Sequence, residues 1–284
     1  MKKFKRILIL AITISLIVLM AACGQTGTVR SDPSGTGATS GTVIPPETTA
    51  PPEPVALTVS AAASLTDAME EIKTAYSQEA SNVTITYNFG SSGSLQQQIE
   101  QGAEVDVFLS AATKQMNALQ EKGLIMEDTR KDFLENKIVL VVPENSTVVS
   151  DFADLAKEEV KNIGLGEIKS VPVGQYAEEV LTKLNILDSI KSKIVYGKDV
   201  KEVLTWVETG NADAGIVYET DALVSGKVKV VAKAPQGSHQ PVYYPAAVIK
   251  ASRNAEAAKA FVNYLYSSEA KPVFEKYGFA FIEK

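Results

Sequence analysis

From Val55 onward the spacing of apolar residues keeps switching between two periods. Leu57, Val59 and Ala61 alternate with other residues, the period of a strand, and the run ends in alanines and Ser64. Leu65, Met69, Ile72 and Tyr76 then recur three and four apart, the period of a helix. The spacing predicts a strand running straight into a helix, with Ser64 as N-cap and Asp67 completing a capping-box pattern. A helix start of this kind carries unpaired N–H groups and a partial positive charge, which makes it a natural seat for an anion.

The same switch repeats along the chain. Val83–Tyr87 reads as a β-branched strand, Gly90–Gly93 as a small-residue loop and Ser94–Gln101 as a short helix stopped by Gly102. Val105–Leu109 and Lys114–Lys122 give the next strand and helix, and the unbroken apolar Ile138–Val142 is a strand buried on both faces. After Pro143 come a helix at Phe152–Val160, a strand at Asn162–Gly166 and a helix just past Pro172-Val173-Gly174. Lys193–Tyr196 is a strand, and Val200, Val203, Leu204 and Val207 mark a helix closed by Gly210. Ala214–Tyr218, Val228–Ala232 and Tyr243–Ile249 complete the strands, and helices near Asn254–Tyr266 and Ser268–Tyr277 end the chain. The fold class expected is α/β with two lobes, each a mostly parallel sheet flanked by helices and facing a ligand cleft between them. Lobe 1 takes 55–138 plus 240–284 and lobe 2 takes 139–239.

The first 54 residues follow neither period. Lys2, Lys3, Lys5 and Arg6 precede the mostly apolar run Ile7–Met20, too short to span a bilayer comfortably, and Ala21-Ala22-Cys23 follows. Residues 1–22 are therefore expected to be a signal peptide. The segment resembles a bacterial lipobox, which implies a lipidated Cys23 at the new N-terminus. Residues 23–54, rich in Thr, Gly, Ser and Pro, have almost nothing to bury and form a disordered tether. The protein is thus placed on the extracytoplasmic face of the cell membrane, held by its N-terminal lipid.

Charge and composition narrow the chemistry. Removing residues 1–22 takes away four of the 28 Lys+Arg and none of the 34 Asp+Glu, which moves the formal charge from −6 to about −10. So acidic a chain has no basic surface for phosphate backbones, and no nucleic-acid partner is expected. One cysteine allows no intrachain disulfide. The one histidine, His239, lies in a Pro/Gly/Gln/Ser-rich loop, and P-loop, HExxH, GxSxG and CxxC patterns are all missing. No catalytic constellation, cofactor or metal held directly by side chains is expected. What recurs is the helix start: at Ser64, at Ser91-Ser92-Gly93-Ser94, at Val173-Gly174 and at Asp199-Val200, with Tyr218 able to add a phenol. None of these segments contains an arginine, although Lys198 and Lys201 flank the last one.

Together AAASLTDAM, the SSGSL loop after VTITYNFG, VDVFLSA, VPVGQYAEEVL, GIVYETDA and FEKYGF resemble the periplasmic molybdate-binding proteins of ABC importers, in order, over Val55–Phe281. The resemblance implies a type II periplasmic-binding-protein-like fold that closes on molybdate or tungstate and docks, as a monomer, on a membrane permease. It also implies an oxyanion site made of Ser64, Ser92, the amides of Val173 and Val200, and Tyr218. The chain departs from that pattern in two places: many members carry alanine where Val173 stands, and some carry serine where Gly93 stands. Two other readings stay open. One is a binding protein for another anion, or for ferric iron through the adjacent Tyr243 and Tyr244. The other is an enzyme on the same fold.

Overall fold

The computed structural model describes residues 53–282. The expected signal peptide (1–22), Cys23 and the tether up to residue 52 lie outside the described residues. Among the described residues no helix is long and apolar enough to cross a membrane.

The first stretch runs β1 (Val55–Ala62), α1 (Thr66–Glu79), β2 (Val83–Gly90), α2 (Ser92–Glu100), β3 (Val107–Leu109), α3 (Thr113–Glu121) and β4 (Lys131–Asn136). After Lys137 come β5 (Ile138–Pro143), β6 (Ile163–Gly166), α4 (Pro172–Lys183), the single turn α5 (Leu187–Ile190) and β7 (Ile194–Gly197). Then follow α6 (Val200–Glu208), β8 (Ala214–Tyr218), α7 (Glu219–Leu223) and β9 (Val228–Lys233). The chain returns through β10 (Val242–Val248), α8 (Ala255–Leu265), α9 (Lys271–Lys276) and β11 (Ala280–Phe281).

Two sheets result, in the orders β11-β4-β10-β3-β1-β2 and β7-β6-β8-β5-β9. Each is mixed. β1 pairs in parallel with β2 and β3, and β6 with β7 and β8, whereas the pairings of β10 with β3 and β4, of β11 with β4, and of β5 with β8 and β9 are antiparallel. The expected parallel sheet therefore holds where a helix separates successive strands. It fails where the chain crosses between the sheets and re-enters from the other direction. β5 is buried along Ile138–Val142, as its unbroken apolar run requires. β4 and β11 have no such run: in Lys131–Asn136 only Phe133, Leu134 and Asn136 are buried, so the strand is invisible to periodicity. The helix expected over Phe152–Val160 is a 3-10 turn, Phe152–Ala156. A threefold repeat puts Phe152 and Leu155 on one side, and both are buried, while Lys157, Glu158 and Glu159 stay exposed.

The lobes meet at backbone and at charge. The Gly93 N–H at the start of α2 donates to the Ser170 carbonyl at 2.9 Å, and a Cβ on Gly93 would lie 2.5 Å from that oxygen. Glycine is therefore what lets the two main chains touch. Nearby, the Lys201 ammonium of α6 sits 2.7 Å from an Asp67 oxygen of α1 and 3.4 Å from one of Asp221. Burial pushes the Asp221 carboxyl up to about 6, against the pull of Lys201. Lys201 is desolvated too, but Asp221 and Asp67 outweigh that and raise its pKa.

Two predictions follow from these contacts. A Cβ on Gly174, in the first turn of α4, would fall 2.0 Å from the Gly166 carbonyl oxygen that ends β6. Gly174→Ala should therefore cost at least about 2 kcal/mol, read as a lower urea midpoint at unchanged slope. Between pH about 4, where a free carboxyl ionises, and pH about 6, the folded chain keeps on Asp221 a proton that the unfolded chain has released. Stability from this group consequently falls as pH rises through that window. Asp221→Asn removes the effect, so its melting temperature relative to the parent should improve from pH 4 to pH 7; a constant difference would refute the assignment.

Candidate functional site

The helix starts singled out in the sequence converge on one small cavity between the sheets. Its wall is made by Ala62, the last residue of β1, with Ala63 and Ser64 beyond it, Gly90–Ser92 where β2 passes into α2, and Ala111 after β3. Val171–Val173 at the start of α4, Asp199 and Val200 at the start of α6, and Tyr218, the last residue of β8, close the other side. The cavity thus sits at the carboxyl ends of the parallel strands, where open α/β sheets leave a crevice. It is tight: the centre of a water-sized sphere has about 10 Å³ to occupy. Ser64, Ser92, Val173, Val200 and Tyr218 all line it, whereas Gly93, Lys198 and Lys201 do not.

Each donor is placed by its own local structure. Ser91 caps α2 by accepting from the Ser94 N–H, which leaves Ser92 as the first helical residue. The Ser92 hydroxyl oxygen accepts from the Ala111 N–H at 2.9 Å, so its own proton is free for another partner. In α4 Pro172 takes the first position, and because proline has no N–H, Val173 offers the first amide of that helix. In α6 the N-cap is Asp199, whose carboxylate accepts from the Glu202 N–H at 2.9 Å, and Val200 follows with a first-turn amide. First-turn amides have no intrahelical carbonyl to bond. The Tyr218 hydroxyl is fully buried and has no hydrogen-bond partner, and burial raises its pKa well above the usual phenol value.

Ser64 is where the structure departs from the capping-box reading. A 3-10 turn, Ala63–Leu65, separates β1 from α1, so the α-helix begins only at Thr66 and Ser64 caps nothing. The hydroxyl lies 2.9 Å from the Tyr244 hydroxyl instead. The alanines before it explain the turn, since their small side chains let the chain fold tightly against the sheet. They also keep the Ser64 backbone at the cavity wall.

No lysine or arginine reaches the cavity wall among the described residues. Lys201, the cation nearest in sequence, is held by Asp67 and Asp221. Nor do the adjacent tyrosines converge: Tyr244 is fully buried on one face of β10, while Tyr243 lines a different surface pocket with Arg130 and Glu135. Among the described residues no cluster of three His, Cys, Asp or Glu side chains could hold a metal ion.

Sequence spacing missed the polar groups behind the wall. Asn136, Thr220, Asp221 and Tyr244 are all buried, and Asn136 and Tyr244 lie 108 positions apart in the chain. The available signals were a polar Asn136 just before the apolar run Ile138–Val142, and Tyr244 inside the otherwise mostly apolar run before Val248.

Similarity to known proteins points the same way. The family model for bacterial extracellular solute-binding proteins matches residues 57–280. The chain is 50% identical over 226 residues to the Bacillus subtilis protein named "Putative ABC transporter substrate-binding lipoprotein YvgL", covering 79% of this chain and 86% of that one. It is 43% identical to the molybdate-binding protein ModA of Haemophilus influenzae, over 79% of this chain and 89% of that one. A solved structure from Clostridium difficile, titled "substrate binding domain of putative molybdenum ABC transporter", superposes with a TM-score of 0.64 at 50% identity, covering 81% of this chain and all of that one. The chain belongs to the bacterial extracellular solute-binding proteins, the family that matches it from residue 57 to residue 280.

Proposed function

We propose that this protein captures molybdate, and tungstate, in the cavity between its lobes and delivers the ion to an ABC import permease. The observation that carries the reading is the donor set. Ser64, Ser92 and Tyr218 supply hydroxyls and Val173 and Val200 supply first-turn amides, all on one small wall with no cation among them. A fully ionised tetrahedral dianion has only acceptors to offer and suits such a wall. Hydrogen phosphate carries a proton that needs an acceptor, and the carboxylate nearest to hand, Asp199, is already engaged as a helix cap. Hydrogen bonds to a charged group contribute about 1.5–3 kcal/mol each, so five of them can outweigh the cost of taking a dianion out of water into the field of three helix starts. Sulfate has the same charge and shape but is smaller, so selection against it rests on donors spaced for the longer bonds of the larger ion. The ModA relatives, named for molybdate binding, support this choice of ion.

The rest of the reading concerns where the protein works. Lobe boundaries at 138/139 and 239/240 draw support from strands that leave the first sheet after Asn136 and return at Val242, although Ile138 itself already pairs in the second sheet. Closure about those crossings would trap the ion, and the closed monomer would dock on the permease. Cys23 is the lipid attachment site, and residues 23–54 tether the domain to the outer face of the membrane.

Calorimetric titration tests the ion. Molybdate and tungstate are expected to bind in the micromolar range or tighter, and sulfate and phosphate at least about tenfold more weakly. Sulfate binding as tight as molybdate binding would sink the proposal. Ser92→Ala and Tyr218→Phe each remove one donor to a charged guest and should each weaken molybdate binding by about tenfold or more. Unchanged affinity in both variants would remove those residues from the site.

A further inference from the structure

The Ser64 hydroxyl is part of a hydrogen-bond chain whose far end has a fixed direction. Asn136, the last residue of β4, accepts the Lys137 N–H on Oδ1 at 2.8 Å. That bond fixes which way the amide faces, because only the oxygen can accept. Nδ2 therefore points the other way, donating to Thr220 Oγ1 at 2.9 Å and to the Tyr244 hydroxyl oxygen at 3.1 Å. With one lone pair of its oxygen taken by Asn136, Tyr244 can turn its proton to the next neighbour, Ser64 Oγ, 2.9 Å away, where either oxygen could be the donor. In that arrangement Ser64 accepts, which leaves its own proton for the cavity that it lines. Ser64, Asn136, Thr220 and Tyr244 are all buried, so no bulk water competes for these bonds. The Tyr244 ring is held edge-on by Tyr218 and Phe279, with centroids 5.9 and 5.4 Å away.

We propose that Tyr244 and Asn136 are positioning residues of the anion site, holding Ser64 as an obligate donor toward the bound oxyanion. The inference rests on the reading of the cavity as an oxyanion site. It adds two residues that do not themselves line the cavity. Burial keeps the Tyr244 phenol protonated well above the usual range, so the chain keeps its direction at any physiological pH. It also assigns a specificity: a Ser64 oxygen already receiving from Tyr244 is a poor acceptor for the proton of hydrogen phosphate. Ser92 is held in the same way by the Ala111 amide.

A double-mutant cycle on the full-length protein tests this, with molybdate as the probe and the melting temperature without ligand as the check on folding. Tyr244→Phe keeps the ring and removes one oxygen. It should weaken molybdate binding by about tenfold in the parent and by less than about twofold on a Ser64→Ala background, because the bond it loses acts only through Ser64. Asn136→Asp is the second variant, for use if Tyr244→Phe folds poorly. It turns the donor into an acceptor and draws the Tyr244 proton away from Ser64, while its added charge acts in both backgrounds and cancels in the cycle. Equal losses in both backgrounds, or no loss in the parent, would overturn the proposal. A parent that binds no molybdate would overturn the oxyanion reading itself, and this inference with it.

Discussion

A hydroxyl buried away from water with no acceptor costs about 1–3 kcal/mol, and Tyr218 carries one at the end of β8. The architecture around it makes sense as the management of that cost. Parallel strands end where helices begin, so each lobe collects unpaired donors at one edge, and the two edges face each other. With the lobes apart these donors are hydrated. With the lobes together they lose water and need acceptors in its place. In the closure proposed above, the guest that supplies acceptors would also be what makes burying the donors favourable. The Gly93–Ser170 main-chain bond and the Lys201–Asp67 pair add contacts between the same two edges.

The absence of a cation from the wall follows from the same logic. Lys201 is near enough in sequence to have served, yet it is drawn off by two carboxylates, one of them fully buried. An ammonium in the cavity would attract any anion, and it would hold the guest through a term that depends little on shape. Neutral donors of fixed direction are satisfied only by a guest whose oxygens sit where they point. The net charge of the chain is adverse to anions at a distance, so affinity has to come from contact.

Much of this was legible in the chain. The switch from alternating to helical spacing located β1 with α1, β2 with α2 and β7 with α6, and with them the small-residue junctions that form the cavity wall. Tyr218 was legible because it ends an unbroken apolar strand. What periodicity missed has a common cause, in that it sees only what a segment does with its own faces. β4 is a strand because β10 is there to pair with, and β11 because β4 is, while Lys131–Asn136 shows too little alternation to announce itself. Ser64 looked like a cap because the local pattern favours one, but a partner 180 positions away took its hydroxyl. Gly93 read as a lost hydroxyl until the second lobe supplied the carbonyl that requires a glycine there.

The pair Tyr243 and Tyr244 shows why residues adjacent in sequence need not share a function. On β10 they point to opposite faces, one toward a surface pocket with Arg130 and Glu135, the other into the packed interior behind Ser64. A phenol in that interior is expensive unless its hydrogen-bonding capacity is used, and here Asn136 donates to its oxygen and Ser64 lies 2.9 Å away to share a second bond. Replacing the set with apolar residues would remove that cost and leave Ser64 free to rotate. The polar interior is thus the counterpart of the donor wall. A side chain can present one end of its hydrogen bond to the cavity reliably only if the protein has already occupied the other.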